Sequence, residues 1–264
     1  MAASPYYFGF FPGHWYLEDN QLASLPIGSS SPDRNEKVVP EFEARFAGLV
    51  GDGWCISFAA GRMAFYVLLK ALGIGKGDEV ILPAFTCSVM ANAVWRTGAT
   101  PVFSDIDLET FGSDAEAIER KITDRTKLVV AQHSFGIPCK IDRIVEIAGN
   151  RNIFVLEDCA ITLDSSYKGI KVGNWGDAAI FSTDHSKPIN TLTGGMLYTN
   201  NTDLFRKVRD EAKNAPHLDR EQQERLIREV HAERVRCSPN RYARSKLSRT
   251  ISSYANRLLA RASR

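Results

Sequence analysis

Between residue 40 and about residue 205, short apolar runs alternate with stretches whose apolar residues recur at helical spacing. "PEFEARFAGLV" (40–50) has apolar positions three and four apart and predicts a helix. "RMAFYVLLKALGIG" (62–75) predicts a strongly apolar helix stopped by its glycines. "DEVILPAF" (78–85) reads as a buried strand and "SVMANAVWRTG" (88–98) as the next helix. The alternation continues with a strand in "TPVFSDI", a helix in "DAEAIERKI", a strand in "TKLVVAQH", a helix in "IDRIVEIAG" and a strand in "IFVLEDC". "DAAIFST" and "GGMLYTN" are two further strands, joined by the polar stretch around Lys187. Apolar β-rich runs interleaved with helices predict an α/β fold, a mostly parallel sheet covered by helices on both faces.

Outside this block the pattern changes. Residues 1–38 are aromatic, then rich in Ser, Pro and Gly, and read as an irregular arm. Residues 39–205 form the expected large domain, and 206–264 read as a polar, helical tail with no further strand pattern. The 264 residues are 44% hydrophobic and 24% charged, an ordinary globular composition with a sizeable core. The formal charge of +2 gives no general case for nucleic acid. From Arg234 onward there are basic residues and no acid, a run better read as a solvated tail than as a site for a polyanion or membrane surface. Five cysteines without a CxxC spacing suggest neither a disulfide framework nor a metal site, and point to a reducing compartment. No apolar run reaches the roughly 18–20 residues of a membrane span, and the N-terminal stretch lacks the pattern of a signal peptide. A cytoplasmic location without a membrane partner is the expectation.

In an open parallel sheet, ligands gather beyond the carboxyl ends of the strands. His133 closes "KLVVAQH", and Glu157 and Asp158 close "IFVLED". Ser182, Asp184 and His185 follow "DAAIF", with Lys187 just beyond. Gly61 and Arg62, opening the most apolar helix, offer backbone N–H groups to an anion. An acid, an amine, a hydroxyl and a phosphate-type cradle on one sheet edge suit a phosphorylated, electron-withdrawing cofactor held as an imine. Pyridoxal phosphate (PLP) meets each requirement: a lysine for its aldehyde, a buried acid for its ring nitrogen, and N–H and hydroxyl donors for its phosphate.

Several motifs then carry a resemblance. "ALGIGKGDEVILPAFTCSVMANAVWRTGATPVFSDIDLET", "VVAQHSFG", "VLEDCA", "YKGIKVGNWGDAAIFS" before a lysine, and a closing "GG" occur in this order over residues 40–205. Together they are similar to the sugar-nucleotide aminotransferases of the DegT/StrS type. That resemblance implies the type I (aspartate-aminotransferase-like) PLP fold, a homodimer, and transfer of an amino group, typically from glutamate, to a nucleotide-linked keto sugar. By motif, Lys187 would be the Schiff-base lysine and Asp158 the partner of the pyridine nitrogen. Ser182 would bind phosphate together with the backbone of Gly61 and Arg62, and His133 would lie near the cofactor.

Three positions depart from the family pattern. Cys87 stands where an aromatic residue stacks on the ring, Ile161 where a Gln or His makes a cofactor contact, and Ala60-Gly61-Arg62 where the cradle reads Ser-Gly-Thr. The family also continues into a smaller C-terminal domain, of which the tail after residue 206 reads as a truncated remnant. The expectation is therefore a PLP-dependent aminotransferase making amino sugars for a surface polysaccharide or secondary metabolite. A PLP-dependent sugar dehydratase is disfavoured because Lys187 is retained. The alternative from another class is a non-catalytic relative that binds or regulates.

Overall fold

The computed structural model describes residues 32–184, 187–189, 191, 193–215 and 219–237. Residues 30–218 form one compact unit; of the second unit, 1–29 with 219–264, only one helix is described. The chain begins with helix α1 (Pro32–Val50), strand β1 (Trp54–Phe58) and helix α2 (Gly61–Ala71). Strand β2 (Glu79–Pro83), helix α3 (Ser88–Thr97), strand β3 (Thr100–Ser104), helix α4 (Ala115–Glu119) and strand β4 (Thr126–Gln132) follow. Next come helix α5 (Ile141–Gly149), strand β5 (Phe154–Asp158) and a small hairpin of β6 (Ser166–Tyr167) and β7 (Ile170–Lys171). Strands β8 (Ala178–Ser182) and β9 (Gly195–Thr199) complete the sheet, and helix α6 (Thr202–Ala212) closes the compact unit. Helix α7 (Arg220–Cys237) is polar and laced by i,i+4 ion pairs such as Arg220–Glu224.

Seven strands form one sheet in the order β1-β9-β8-β5-β4-β2-β3. The pairs β3–β2–β4–β5–β8 are parallel, while β9 runs antiparallel to both β8 and β1. Strand alternation assigns each face its own core. Val80, Leu82, Leu128, Val130, Leu156 and Ile180 pack with α2, α3 and α6. Ile81, Val129, Ala131 and Val155 pack with α4 and α5. Ala179, Phe181, Met196 and Tyr198 pack with α1 through Phe46, Ala47 and Val50. A sheet buried on both faces explains why β2 and β9 have every residue buried.

Several boundaries differ from the sequence reading. Helix α1 starts at Pro32, inside the arm expected to end at residue 38. Pro40 reads as a helix start because it is favoured at the first helical position, but here it lies within the helix. The rest of the expected arm, residues 1–31, lies outside the described residues. The boundary expected at residue 205 falls inside α6, whose Leu204 and Val208 are buried in the main core. Helix α4 stops at Glu119, short of the run to Ile122. There the chain is drawn to β2 instead: buried Glu79 accepts Thr123 Oγ1 at 2.5 Å and Arg125 Nε at 2.9 Å. Strand β1 gives no clear signal in the sequence because it is short and its partner β9 lies almost the whole domain away.

A carboxylate also fastens α1 to that edge. Buried Glu43 accepts the Ser57 N–H at 2.7 Å, the Ser57 hydroxyl at 2.8 Å and Arg209 Nη2 at 2.8 Å, joining α1, β1 and α6. Glu43→Ala leaves these donors without their acceptor and should lower unfolding free energy by about 2 kcal/mol or more. Arg45→Ala removes only an exposed i,i+4 pair with Glu41 and should change it by less than about 0.5 kcal/mol. Urea unfolding of both variants checks this.

Candidate active site

Strands β4, β5 and β8 end side by side, and alternation turns Gln132, Asp158 and Ser182 to the α2–α3 face. A cleft of about 260 Å³ opens there, lined by Phe85, Thr86 and Cys87 from the start of α3, Gln132, Ser134 and Phe135 after β4, Asp158, Ala160 and Ile161 after β5, and Lys187. The structure thus brings together Lys187, Asp158 and Cys87, three of the residues singled out in the sequence. Ile161 shares their cleft.

Asp158 is buried and accepts the Ala160 N–H at 2.9 Å through Oδ1. Burial raises its carboxyl above the ordinary range, against the opposing pull of that hydrogen bond and of the Lys187 charge. The half-buried Lys187 is placed by a loop with its own scaffold. Its N–H donates to Asp184 O at 2.9 Å. The Thr183 and Thr191 hydroxyls meet at 2.7 Å, and the Thr193 hydroxyl donates to Ala59 O at 2.7 Å. His185 lies outside the described residues.

Ser182 and Gly61 meet beside this cleft. A Cβ built on Gly61 would lie 3.6 Å from Ser182 Cβ, so the first turn of α2 abuts the end of β8. The Ser182 hydroxyl has no partner among the described residues. Helix α2 follows Ala60, which supplies no side-chain cap, leaving its first N–H groups for another acceptor. Gly195 makes this close approach possible: a Cβ there would sit 2.2 Å from Gly61 N. Arg62 contributes its backbone here, but its side chain turns into a different cavity between α2 and α3.

His133 is placed differently from the sequence expectation. It follows Gln132 on the strand and so turns to the opposite face, where it is fully buried and does not line the cleft. The Cys139 N–H donates to its Nδ1 at 3.1 Å, so the proton sits on Nε2, which donates to Glu157 Oε2 at 3.0 Å. Its reach to the cleft is indirect: its own N–H donates to Asp158 O at 3.0 Å. Glu157 also accepts the N–H groups of Gly173 at 2.7 Å, Trp175 at 2.8 Å and Gly176 at 2.8 Å. Donor atoms of His133, Glu157 and Cys159 lie within 4.8 Å of one another, as around a metal ion. Both imidazole nitrogens and both carboxylate oxygens are already committed to hydrogen bonds.

Gln132, Phe85 and Phe135 also line the cleft, although no motif in the sequence marks them. Gln132 Nε2 donates to Phe85 O at 2.9 Å and to Ser134 Oγ at 3.0 Å, tying the start of α3 to the end of β4. Ser134 Oγ in turn donates to Phe111 O at 2.8 Å. Phe111 and Phe135 both have positive φ, 55° and 56°, an uncommon conformation for bulky residues. Two adjacent polar residues end β4, and choosing between them needed the facing that only strand parity supplies.

Because Asp158 is raised, the native chain holds its proton where the unfolded chain has lost it, and stability falls as pH rises above the ordinary value of 3.8. Asp158→Asn should therefore make the cofactor-free chain more stable than wild type at neutral pH, with the gap closing in acid. Thermal melts across pH check this.

Residues 29–236 match the DegT/DnrJ/EryC1/StrS aminotransferase family. GDP-perosamine synthase of Escherichia coli O157:H7 is 43% identical over 167 residues, 63% of this chain and 46% of that protein. The spore coat polysaccharide biosynthesis protein SpsC of Bacillus subtilis is 43% identical over 171 residues, 65% and 44% of the two chains. The solved structure of E. coli GDP-4-keto-6-deoxy-D-mannose-3-dehydratase with bound hydrated PLP superposes with a TM-score of 0.61 at 27% identity, covering 69% of this chain and 52% of that one. The chain spans about half the length of the curated relatives it matches. With an α/β sheet of the same architecture and the motifs in order along it, the chain belongs to the DegT/DnrJ/EryC1/StrS aminotransferase family.

Proposed function

We propose that this chain carries the cofactor-binding part of a PLP-dependent aminotransferase that moves an amino group, from glutamate as donor, to a nucleotide-linked keto sugar. The observation that carries the reading is the placement of Lys187 and Asp158 in one cleft, beside the uncapped start of α2 and Ser182. Those residues fit PLP: an amine for an aldehyde, a buried acid for a ring nitrogen, and a hydroxyl with free N–H groups for a phosphate. When bound, PLP supplies an aldehyde that condenses with amines and a ring that draws electrons from the adjoining carbon.

The chain's own groups divide the work. Asp158, with its proton affinity raised by burial, shares a proton with the ring nitrogen. Ser182 and the Gly61 and Arg62 N–H groups hold the phosphate, where the positive end of the α2 dipole favours an anion. The Lys187 amine would hold the aldehyde and, once free of it, would take up a proton from the donor carbon and give it back. Phe85 and Phe135 keep the cleft walls apolar. The reading includes a homodimer and, from the free thiols Cys55, Cys87, Cys139 and Cys159, a reducing cytoplasmic setting. The name of the Bacillus subtilis relative supports a product destined for a surface polysaccharide.

A second reading, a cofactor-binding relative without turnover, is favoured by Cys87 and Ile161. Both line the cleft with small or aliphatic surface and give a cofactor neither ring stacking nor a strong hydrogen bond.

Incubation with PLP should give a visible absorbance band that borohydride bleaches, leaving the reduced cofactor's mass on the Lys187 peptide. Lys187→Ala should lose both and lower conversion of PLP to pyridoxamine phosphate by about 10²–10⁴-fold. An unchanged spectrum in that variant overturns the site assignment. A wild-type band with no conversion by any amino donor leaves the second reading standing.

A further inference from the structure

A second cavity, about 620 Å³, runs along the groove between α2 and α3 to the C-terminal end of α6. It lies within the range of small-molecule sites, about 300–1,000 Å³. It adjoins the cleft through both helices. Cys87, just before helix α3, lines the cleft, and the helix places Val89 in the groove. Helix α2 begins with Gly61 against Ser182 and turns the Arg62 side chain into the groove. At a rise of about 1.5 Å per residue, Arg96 lies roughly 13 Å along α3 from Cys87.

The groove is lined for an anion with a flat apolar end. Among the described residues neither Arg62 nor Arg96 pairs with an acid, and Glu211 is the one acid lining the cavity. Two guanidinium forks suit the oxygens of a diphosphate, to which each can donate bidentately. The Arg96 guanidinium lies 5.7 Å over the Tyr66 ring, an edge against which another ring can pack. Asn92, one turn before Arg96 on the same face, offers both a donor and an acceptor. Met63 and Val67 line the same groove with apolar surface.

We propose that this groove takes the nucleoside diphosphate of the nucleotide-linked substrate, with Arg62 and Arg96 holding the diphosphate and Tyr66 and Asn92 the base, while the sugar reaches Lys187. The inference rests on the nucleotide-sugar reading but places the nucleotide on residues outside the cofactor cleft.

Calorimetric titration of the PLP-treated chain with GDP, UDP and dTDP tests it. At least one should bind, more weakly as salt rises. Arg96→Ala should weaken that binding about tenfold or more, Arg96→Lys less, and Asn92→Ala should change the ranking of the three bases. All three variants lie on an exposed helix face and should keep the wild-type melting temperature and PLP absorbance. Failure of all three nucleotides to bind wild type overturns the inference, as does equal affinity in wild type and Arg96→Ala; the groove is then a face for packed protein. Arg96-dependent nucleotide binding without a PLP band would instead leave the groove assignment intact and sink the cofactor reading.

Discussion

A carboxylate sealed from water survives only where donors replace the water it has lost. Glu157 meets that condition with two donors on each oxygen: Gly173 and His133 on one, Trp175 and Gly176 on the other. Those four bonds join the ends of β4 and β5 to the loop leading into β8, which is the edge where the cleft forms. The loop must curl tightly to aim three N–H groups at one side chain, and its glycines permit this. Gly173 has φ of 96°, and a Cβ on Gly176 would lie 2.7 Å from Val155 O. Strand parity then separates two adjacent acids. Glu157 is spent inside the protein, and Asp158 is left facing the cleft.

The same division runs through β4, where Gln132 faces the cleft and His133 is turned away. Gln132 and Ser134 hold the carbonyls of Phe85 and Phe111, fixing an aromatic rim above the polar floor. Phe85–Phe135 and Phe111–Phe135 centroids are 6.3 and 6.5 Å apart. Two phenylalanines in the left-handed region, Phe111 and Phe135, cost of order 1–3 kcal/mol each, and the Ser134 hydroxyl holds the Phe111 backbone there. Helices α2 and α3 serve two cavities at once, because their first residues face the strand ends while their next turn faces outward.

Much of this was legible in the sequence. Continuous apolar runs such as "VILP" and "LVVA", rich in β-branched residues, fit strands buried on both faces, and the alternation with helices implies parallel neighbours. Lys187, Asp158 and Cys87 could be placed at strand or helix ends by counting, and the structure gathers them. Less legible were features set by distant partners. β1 depends on β9, the end of α4 on Glu79, and the start of α1 on packing that tolerates Pro40. His133 shows the limit within one residue: its position at the strand end was readable, but its facing depended on where the strand's parity began. Ile161 and Cys87 depart from the family pattern at separate points of the sequence, and the structure places both in one cleft.

The antiparallel strand β9 also sets an order of assembly during synthesis. Strands β2 to β5 can pair as they leave the ribosome, since each finds its neighbour within the preceding segment. Strand β1, made earliest, pairs with β9 alone among the sheet strands and must wait until nearly the whole domain has been translated. The start of α2 depends on the same event, because it packs against Gly195 at the beginning of β9. The start of α2 is thus encoded near the beginning of the domain and packed into place at its end, so a nascent chain completes the proposed cofactor cleft only after the loop bearing Lys187 has emerged.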